Sequence, residues 1–332
     1  MRAVVLVGGF GTRLRPLTLH TPKQMLPVVH RPMIERVVEH LAGHGVDEVV
    51  LSLGYRPDAF QSAYPDGVCA GVRLHYAIEP EPRDTAGAIR FAATDAGITE
   101  RFLVVNGDVL TDLDVGALIA AHDRTGAEGT IALHRVEDPS AYGVVPTDAA
   151  GRVTAFIEKP PRDEAPTDLI NAGTYVLEPS VLDRIEPDAR VNVERVTFPA
   201  MVADGALFAY DGDTYWLDAG TPATYLAANL DLIDGRRGAP EAGVHPDAEV
   251  DGAVTGSVVG PGVQVGPGAI VSGSVVLPGA VIGAGALVQD AIIGARAQIG
   301  EGAVVDETSV LGDDVVVDRG DEVHGVKIPE ET

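Results

Sequence analysis

The chain has 332 residues, 45% of them hydrophobic and 22% charged, with 49 acidic against 24 basic side chains and a formal charge of -25. That length accommodates two domains with packed cores, while so negative a charge disfavours nucleic acid and anionic lipid, which demand a basic face. Lone Cys69 excludes an internal disulfide and a cysteine-based zinc site, and no apolar run approaches the roughly 20 residues needed to cross a bilayer.

The start, MRAVVLVGG, has too short an apolar stretch for the h-region of a signal peptide, so a cytoplasmic location is expected, and the acidic balance points to a small-molecule partner. Up to residue 234, β-rich runs alternate with helix-length segments: AVVLV at 3–7, EVVLSL at 48–53, VRLHYAI at 72–78, FLVV at 102–105 and TIALH at 130–134. This alternation predicts an α/β domain over 1–234 around a mostly parallel, Rossmann-like sheet. Ligands of such sheets gather outside the carboxyl ends of the strands. The glycine turn after the first run and Asn106-Gly107-Asp108 after the fourth are therefore expected at one rim.

GRRGAPEAG at 235–243, with Gly, Pro and charge, reads as a linker. Over 244–328 apolar residues recur at every sixth position, through Ile293, Ile299, Val305, Leu311, Val317 and Val323, and earlier through Val259, Val265, Val271 and Leu277 with a frame slip between the sets. A hexapeptide period predicts a parallel β-helix in which the aliphatic side chains stack inward. Its adhesive ends and faces predict a homo-oligomer, and its removal is expected to disturb assembly while leaving chemistry possible.

The glycine turn fits neither common nucleotide loop. Gly9-Phe10-Gly11-Thr12-Arg13-Leu14 lacks the third glycine of a dinucleotide fingerprint, and no Gly-Lys-Ser/Thr follows it. What remains is a turn baring backbone N–H groups, with Arg13 at once and Lys23 soon after, which suits phosphate oxygens.

GGFGTRLRPLT followed by PK, then EPEPRDTAGA, NGD, AYGVV, FIEKP, NAGTYVLEP and WLDAGTP in that order, resembles the sugar-nucleotide pyrophosphorylases, a nucleotidyltransferase family, and within it the GDP-mannose pyrophosphorylases. The resemblance covers essentially the whole chain. It implies a GT-A-like α/β catalytic domain followed by a left-handed parallel β-helix, Mg²⁺ dependence, and a reaction of a nucleoside triphosphate with a sugar 1-phosphate to give an NDP-sugar and pyrophosphate. It implies Arg13, Lys23 and Asp108 as catalytic residues, and Asp108 and Asp218 as metal ligands. Nucleotide contacts are implied at Leu6, Gly8, Gly9, Gly11, Thr12, Arg13, Lys23, Glu79, Thr85, Ala86 and Gly87. Sugar-phosphate contacts are implied at Gly143, Glu158, Lys159, Asn171 and Gly173.

These assignments fit the chemistry, which is mainly charge neutralisation and positioning. Mg²⁺ needs only one or two carboxylates because water and phosphate complete its shell. Glu79 stands where thymine- and uracil-using relatives often carry glutamine. An ionised carboxylate only accepts hydrogen bonds and so suits the paired N1–H and N2–H₂ donors of guanine, which points to GTP and mannose 1-phosphate. Two departures bear on the base: Asp84 replaces the family's usual glycine, and Gln24 is more familiar in thymidylyltransferases. A thymidylyl-, uridylyl- or adenylyltransferase acting on glucose 1-phosphate or a related cyclic phosphate is the alternative, and a non-catalytic regulatory homologue a more distant one. His40 and His44 share a helix face at metal-ligand spacing but lack a third ligand, so a solvated face is the simpler account. Acyl transfer by the repeats would need a histidine in a groove between subunits, and only His245 and His324 fall there, near its ends.

Overall fold

The apolar runs become β1 (Arg2–Leu6), β2 (Glu48–Leu53), β3 (Val72–Ile78), β4 (Phe102–Asn106) and β5 (Gly129–Arg135). Val4, Val5, Val49, Val50 and Val104 have no exposed surface, so the central strands are covered on both faces, as crossover connections require. The computed structural model describes residues 1–212 and 214–329. These divide into two compact units, Met1–Gly9 with Glu35–Trp216, and Phe10–Ile34 with Leu217 onward.

In the first unit β3, β2, β1 and β4 run parallel in that order, with Leu6 opposite both Ser52 and Asn106. The sheet then turns mixed, because β6 (Leu169–Leu177) lies antiparallel to both β4 and β5, and β7 (Leu207–Asp211) lies parallel beside β5. Besides α1 (Met33–Gly43), this part of the chain forms α2 (Asp84–Asp95) and α3 (Val115–Thr125). α2 buries Ala86, Ile89, Ala92 and Ala93 in a core shared with Val4, Val50, Phe102, Val104 and Tyr175. Asp114 caps α3 by accepting from the Ala117 N–H, and Gly126 ends it at φ 61.

In the second unit a Thr221/Thr224 capping box starts α4 (Pro222–Ile233). The buried Asn229 accepts the Val29 N–H at 2.6 Å and donates to the Tyr225 carbonyl, while the Tyr225 hydroxyl donates to the Pro27 carbonyl. Residues 10–34 are thereby tied to a helix some 200 positions away in sequence. Beyond α4 come three sheets of five parallel strands each, stacked as a left-handed parallel β-helix. Val258 pairs with Val275, 17 positions on and one short of three full hexapeptides, whereas Ile292 pairs with Val310, 18 positions on.

The inward stack includes Val259, Val265, Val271, Val276, Ile282, Val288, Ile293, Ile299, Val305 and Leu311. Val276 thus takes the place expected for Leu277, because the step from Val271 is one residue shorter than the repeat. The step from Val288 to Ile293 is shortened in the same way, and together these account for the frame slip.

Candidate active site

At the carboxyl end of the first unit's sheet, Gly107 donates its N–H to the Leu6 carbonyl at 3.0 Å. A Cβ on Gly107 would lie 2.6 Å from Val7 Cγ1, so glycine is needed for the turn that presents Asp108. Gly8 lies beside Glu79, with 3.7 Å between an ideal Cβ and the Glu79 carboxylate, and a Cβ on Gly9 would meet nothing within 4 Å. Packing therefore does not explain the glycine at position 9, whereas close approach of a ligand would.

Glu79 is held by two donors, the Ser52 hydroxyl at 2.9 Å and the Arg83 N–H at 3.0 Å, one to each carboxylate oxygen. Each oxygen keeps further acceptor capacity. The Thr85-Ala86-Gly87 stretch is engaged within the fold. The Ala86 and Gly87 N–H groups both donate to the Val191 carbonyl, and Thr85 Oγ1 accepts from Val193 N and donates to Glu194. A Cβ on Gly87 would lie 2.5 Å from the Ala189 carbonyl, so packing alone demands that glycine.

Asp84 has φ 59, a left-handed conformation that favours glycine and so accords with the glycine that the family resemblance leads us to expect there. Its carboxylate offsets the strain by accepting from Thr85 N at 2.7 Å and Asn192 Nδ2 at 2.9 Å.

The sugar-phosphate candidates cluster in the same unit. Gly143 pairs with Glu158 across adjacent strands, and a Cβ there would lie 2.7 Å from the Phe156 ring. Lys159 adopts φ 52 with its ammonium 3.5 Å from Glu158 Oε1. Asn171 Nδ2 donates to the Tyr175 hydroxyl at 2.8 Å and Oδ1 accepts the Gly173 N–H at 2.9 Å. Gly173, at φ 74, packs on Asn106, where a Cβ would lie 2.5 Å from Nδ2. Trp216 Nε1 donates to the Ala172 carbonyl at 2.9 Å, joining two of the sequence motifs.

One carboxylate belongs to this cluster that sequence reasoning did not single out. Glu194, in a π-turn at Val193–Thr197, is mostly buried; burial raises its pKa, with neighbouring Glu158 and Asp84 adding to the rise. Burial also pushes up the Tyr175 phenol, with Glu194, Glu158 and Asp108 contributing. Glu194 falls in NVERVTFP, where an acidic residue beside apolar ones reads as an ordinary helix start, so only its tertiary neighbours reveal it.

The second unit carries Arg13 and Lys23. Gly11 has φ 63, and a Cβ there would lie 3.1 Å from Thr18 and 3.2 Å from the Lys23 stem, so the turn needs glycine on both counts. Thr12–Leu14 form one 3₁₀ turn, and the Thr18 hydroxyl closes the loop on the Gly11 carbonyl at 2.8 Å. Lys23 is largely buried, whereas the Arg13 side chain is 61% exposed. The Arg13 guanidinium lies 3.7 Å from the Asp218 carboxylate. The arginine end of the pair is open to solvent, which screens the attraction, while the aspartate side chain is only 22% exposed; an incoming phosphate can therefore reach the guanidinium and compete with the carboxylate for it. Gly220 leaves room for the pair: its Cβ would lie 2.5 Å from Arg13 Nη2 and 2.6 Å from Asp218 Oδ1.

The structure thus gathers Leu6, Gly8, Glu79, Asp108, Gly143, Glu158, Lys159, Asn171 and Gly173 in the first unit, and Gly11, Thr12, Arg13, Lys23 and Asp218 in the second. Among the described residues no group of three or more His, Cys, Asp or Glu side chains could form a protein cage for a metal. One or two aspartate carboxylates suit a hard ion that takes most of its ligands from phosphate and water. Nor is any helix among the described residues long and apolar enough to cross a membrane.

Comparison with known proteins places these features in context. Residues 2–235 match the Nucleotidyl transferase family, and residues 238–330 match the GMPPB C-terminal domain. The chain is 42% identical to the mannose-1-phosphate guanylyltransferase of Mycobacterium tuberculosis over 278 residues, 80% of this chain and 77% of that protein. It is 43% identical to the mannose-1-phosphate guanyltransferase of Emericella nidulans over 232 residues, 68% of this chain and 62% of that relative's length. Among solved structures, HddC from Yersinia pseudotuberculosis complexed with GMP-PN is similar with a TM-score of 0.60 and 29% identity, over 69% of this chain and 97% of that one.

Proposed function

The chain belongs to the nucleotidyl transferase family, and from that membership we propose that it joins GTP and mannose 1-phosphate to give GDP-mannose and pyrophosphate. The observation that carries this reading is the Arg13–Asp218 pair set against Gly220, a weakly held cation beside a carboxylate at the loop following the first strand. The relatives named for this reaction supply the substrates.

In the reaction a sugar-phosphate oxygen attacks the α-phosphorus in line and pyrophosphate leaves. Several anionic groups must converge, so neutralising charge is the main task. Arg13 leaves Asp218 for the triphosphate and meets the charge growing on the leaving group. At an effective dielectric near 20, a cation about 4 Å from a phosphate charge is worth roughly 4 kcal/mol. Lys23 adds a second positive charge, and the N–H groups around Gly8, Gly9, Gly11 and Thr12 orient phosphate oxygens.

Glu79, fixed by Ser52 and Arg83, accepts from guanine N1–H and N2–H₂. Glu158 takes sugar hydroxyls, Lys159 the sugar phosphate, and Asn171 with Gly143 and Gly173 shapes the sugar's surroundings. Asp108 and Asp218 each offer a carboxylate to a divalent metal, taken here as magnesium, which when bound supplies positive charge to the phosphates. The β-helix joins copies of the chain, and the enzyme works in the cytoplasm.

The test is pyrophosphate release from GTP, dTTP, UTP and ATP against mannose and glucose 1-phosphates, with magnesium and with EDTA. GTP with mannose 1-phosphate should be fastest by at least about tenfold, and EDTA should abolish turnover. Turnover with dTTP or UTP but not GTP would overturn the role of Glu79.

A further inference from the structure

One outward column of the β-helix differs from the others. In register along it stand Val258, Val275, Ile292, Val310 and Lys327. The four aliphatic members are no more than 1% exposed, whereas Gln264, Val281, Gln298 and Val316, outward on another face, are exposed. The column is therefore covered by the chain itself, and it ends in a cation.

Lys327 Nζ donates to the Arg13 carbonyl at 2.9 Å, across 314 positions of sequence. Beside it, Gly312 approaches Pro16 so closely that a Cβ would lie 3.0 Å from the proline ring. Asp314 has its pKa lowered by Arg296 first, with His20 also contributing. Arg13 and Pro16 thus both lie against the final coils of the β-helix.

We propose that Lys327 is a positioning residue for Arg13, fixing the arginine's main chain so that its guanidinium meets the triphosphate from a constant direction. The proposal rests on the catalytic role given to Arg13 above. The 3₁₀ turn at Thr12–Leu14 is closed by Leu14 N to the Gly11 carbonyl and Arg15 N to the Thr12 carbonyl, bonds that do not use the Arg13 carbonyl. So short a turn has little rigidity of its own. A charged donor on that carbonyl gives a directional restraint stronger than a neutral hydrogen bond. The lysine stem can continue the apolar column while its head reaches past it.

The experiment compares Lys327→Ala, Lys327→Met and Lys327→Arg in steady-state kinetics with GTP and mannose 1-phosphate, each also introduced into Arg13→Lys. Ala and Met should lower kcat about tenfold while KM for the sugar phosphate, Tm and elution volume stay put. Arg should recover the rate to within about threefold. In the Arg13→Lys background, Lys327→Ala should cost less than about twofold, because two changes acting through one group are not additive. If Arg13→Lys is impaired but Lys327→Ala turns over normally, the positioning role falls and the reading of Arg13 stands. If Arg13→Lys itself turns over normally, the catalytic assignment falls. A rate that drops together with Tm and is not rescued by arginine makes the lysine purely structural, which also overturns the proposal.

Discussion

A methyl group on Gly220 would lie 2.5 Å from Arg13 Nη2 and 2.6 Å from Asp218 Oδ1. Both atoms end flexible side chains, and the arginine is 61% exposed, so the fold can yield at small cost while the two groups lose their positions. Gly220→Ala should therefore leave Tm within about 2 °C and lower kcat by about tenfold to a hundredfold. Thermal melts and steady-state rates on the same preparation check this; a large fall in Tm, or a normal rate, would count against it. The motif WLDAGTP makes Asp218 visible in the sequence, but only the packing shows what its glycine is for. Asp84 teaches the same lesson. Its departure from the family's glycine is visible in the sequence, whereas its φ of 59 and the two hydrogen bonds that make the left-handed conformation tolerable are not. The weak link between sequence and site lies at Ala86 and Gly87, whose N–H groups serve the Val191 carbonyl. A motif identifies positions but does not say which of them face a ligand.

Elements were most legible where one apolar period persisted. The five strand-like runs are visible because β-branched residues crowd them, and the β-helix because its period repeats. β6 escapes such a reading because its ladder is irregular between Asn171 and Tyr175, around Gly173 at φ 74, which interrupts a simple alternation. Leu277 was misplaced for a related reason: one shortened repeat hands the inward position to Val276, and a fixed six-residue count cannot see the change. The tie between residues 10–34 and α4 has no periodic signal at all. It rests on Asn229, fully buried, whose carboxamide accepts the Val29 N–H at 2.6 Å and donates to the Tyr225 carbonyl. Val29 itself has φ 58, unusual for a β-branched residue, so its local conformation depends on the packing that surrounds it. Asn229→Leu keeps the branched shape but orphans the Val29 donor, and should destabilise the protein by about 1–3 kcal/mol. Urea unfolding measures it, and an unchanged midpoint would show that the tie contributes nothing.

At the scale of the molecule, chain order and packing order differ. A cut by sequence makes the β-helix an appendage, yet Phe10–Ile34, which includes Arg13 and Lys23, shares a compact unit with Leu217 onward. The contacts that create this grouping, such as Arg13 to Lys327 across 314 positions and Pro16 against Gly312, leave no trace in local composition. They change what truncation should do. The expectation that chemistry survives removal of the repeats treated them as an assembly device, but the column at Val258, Val275, Ile292 and Val310 is buried within the chain. Burying one such side chain contributes about 1.5–3 kcal/mol, and a domain's whole stability is about 5–15 kcal/mol. Surface that loses four such partners is therefore exposed at a cost comparable to that total. Deleting residues 235–332 should give protein that aggregates or, where soluble, turns over at least about a hundredfold more slowly, because the segment bearing Arg13 loses its support. A sizing column and a pyrophosphate assay on the soluble fraction decide the matter. A monodisperse truncated protein with near-normal kcat would show that the glycine loop holds its shape without the β-helix, and would remove the physical basis for assigning Lys327 to Arg13.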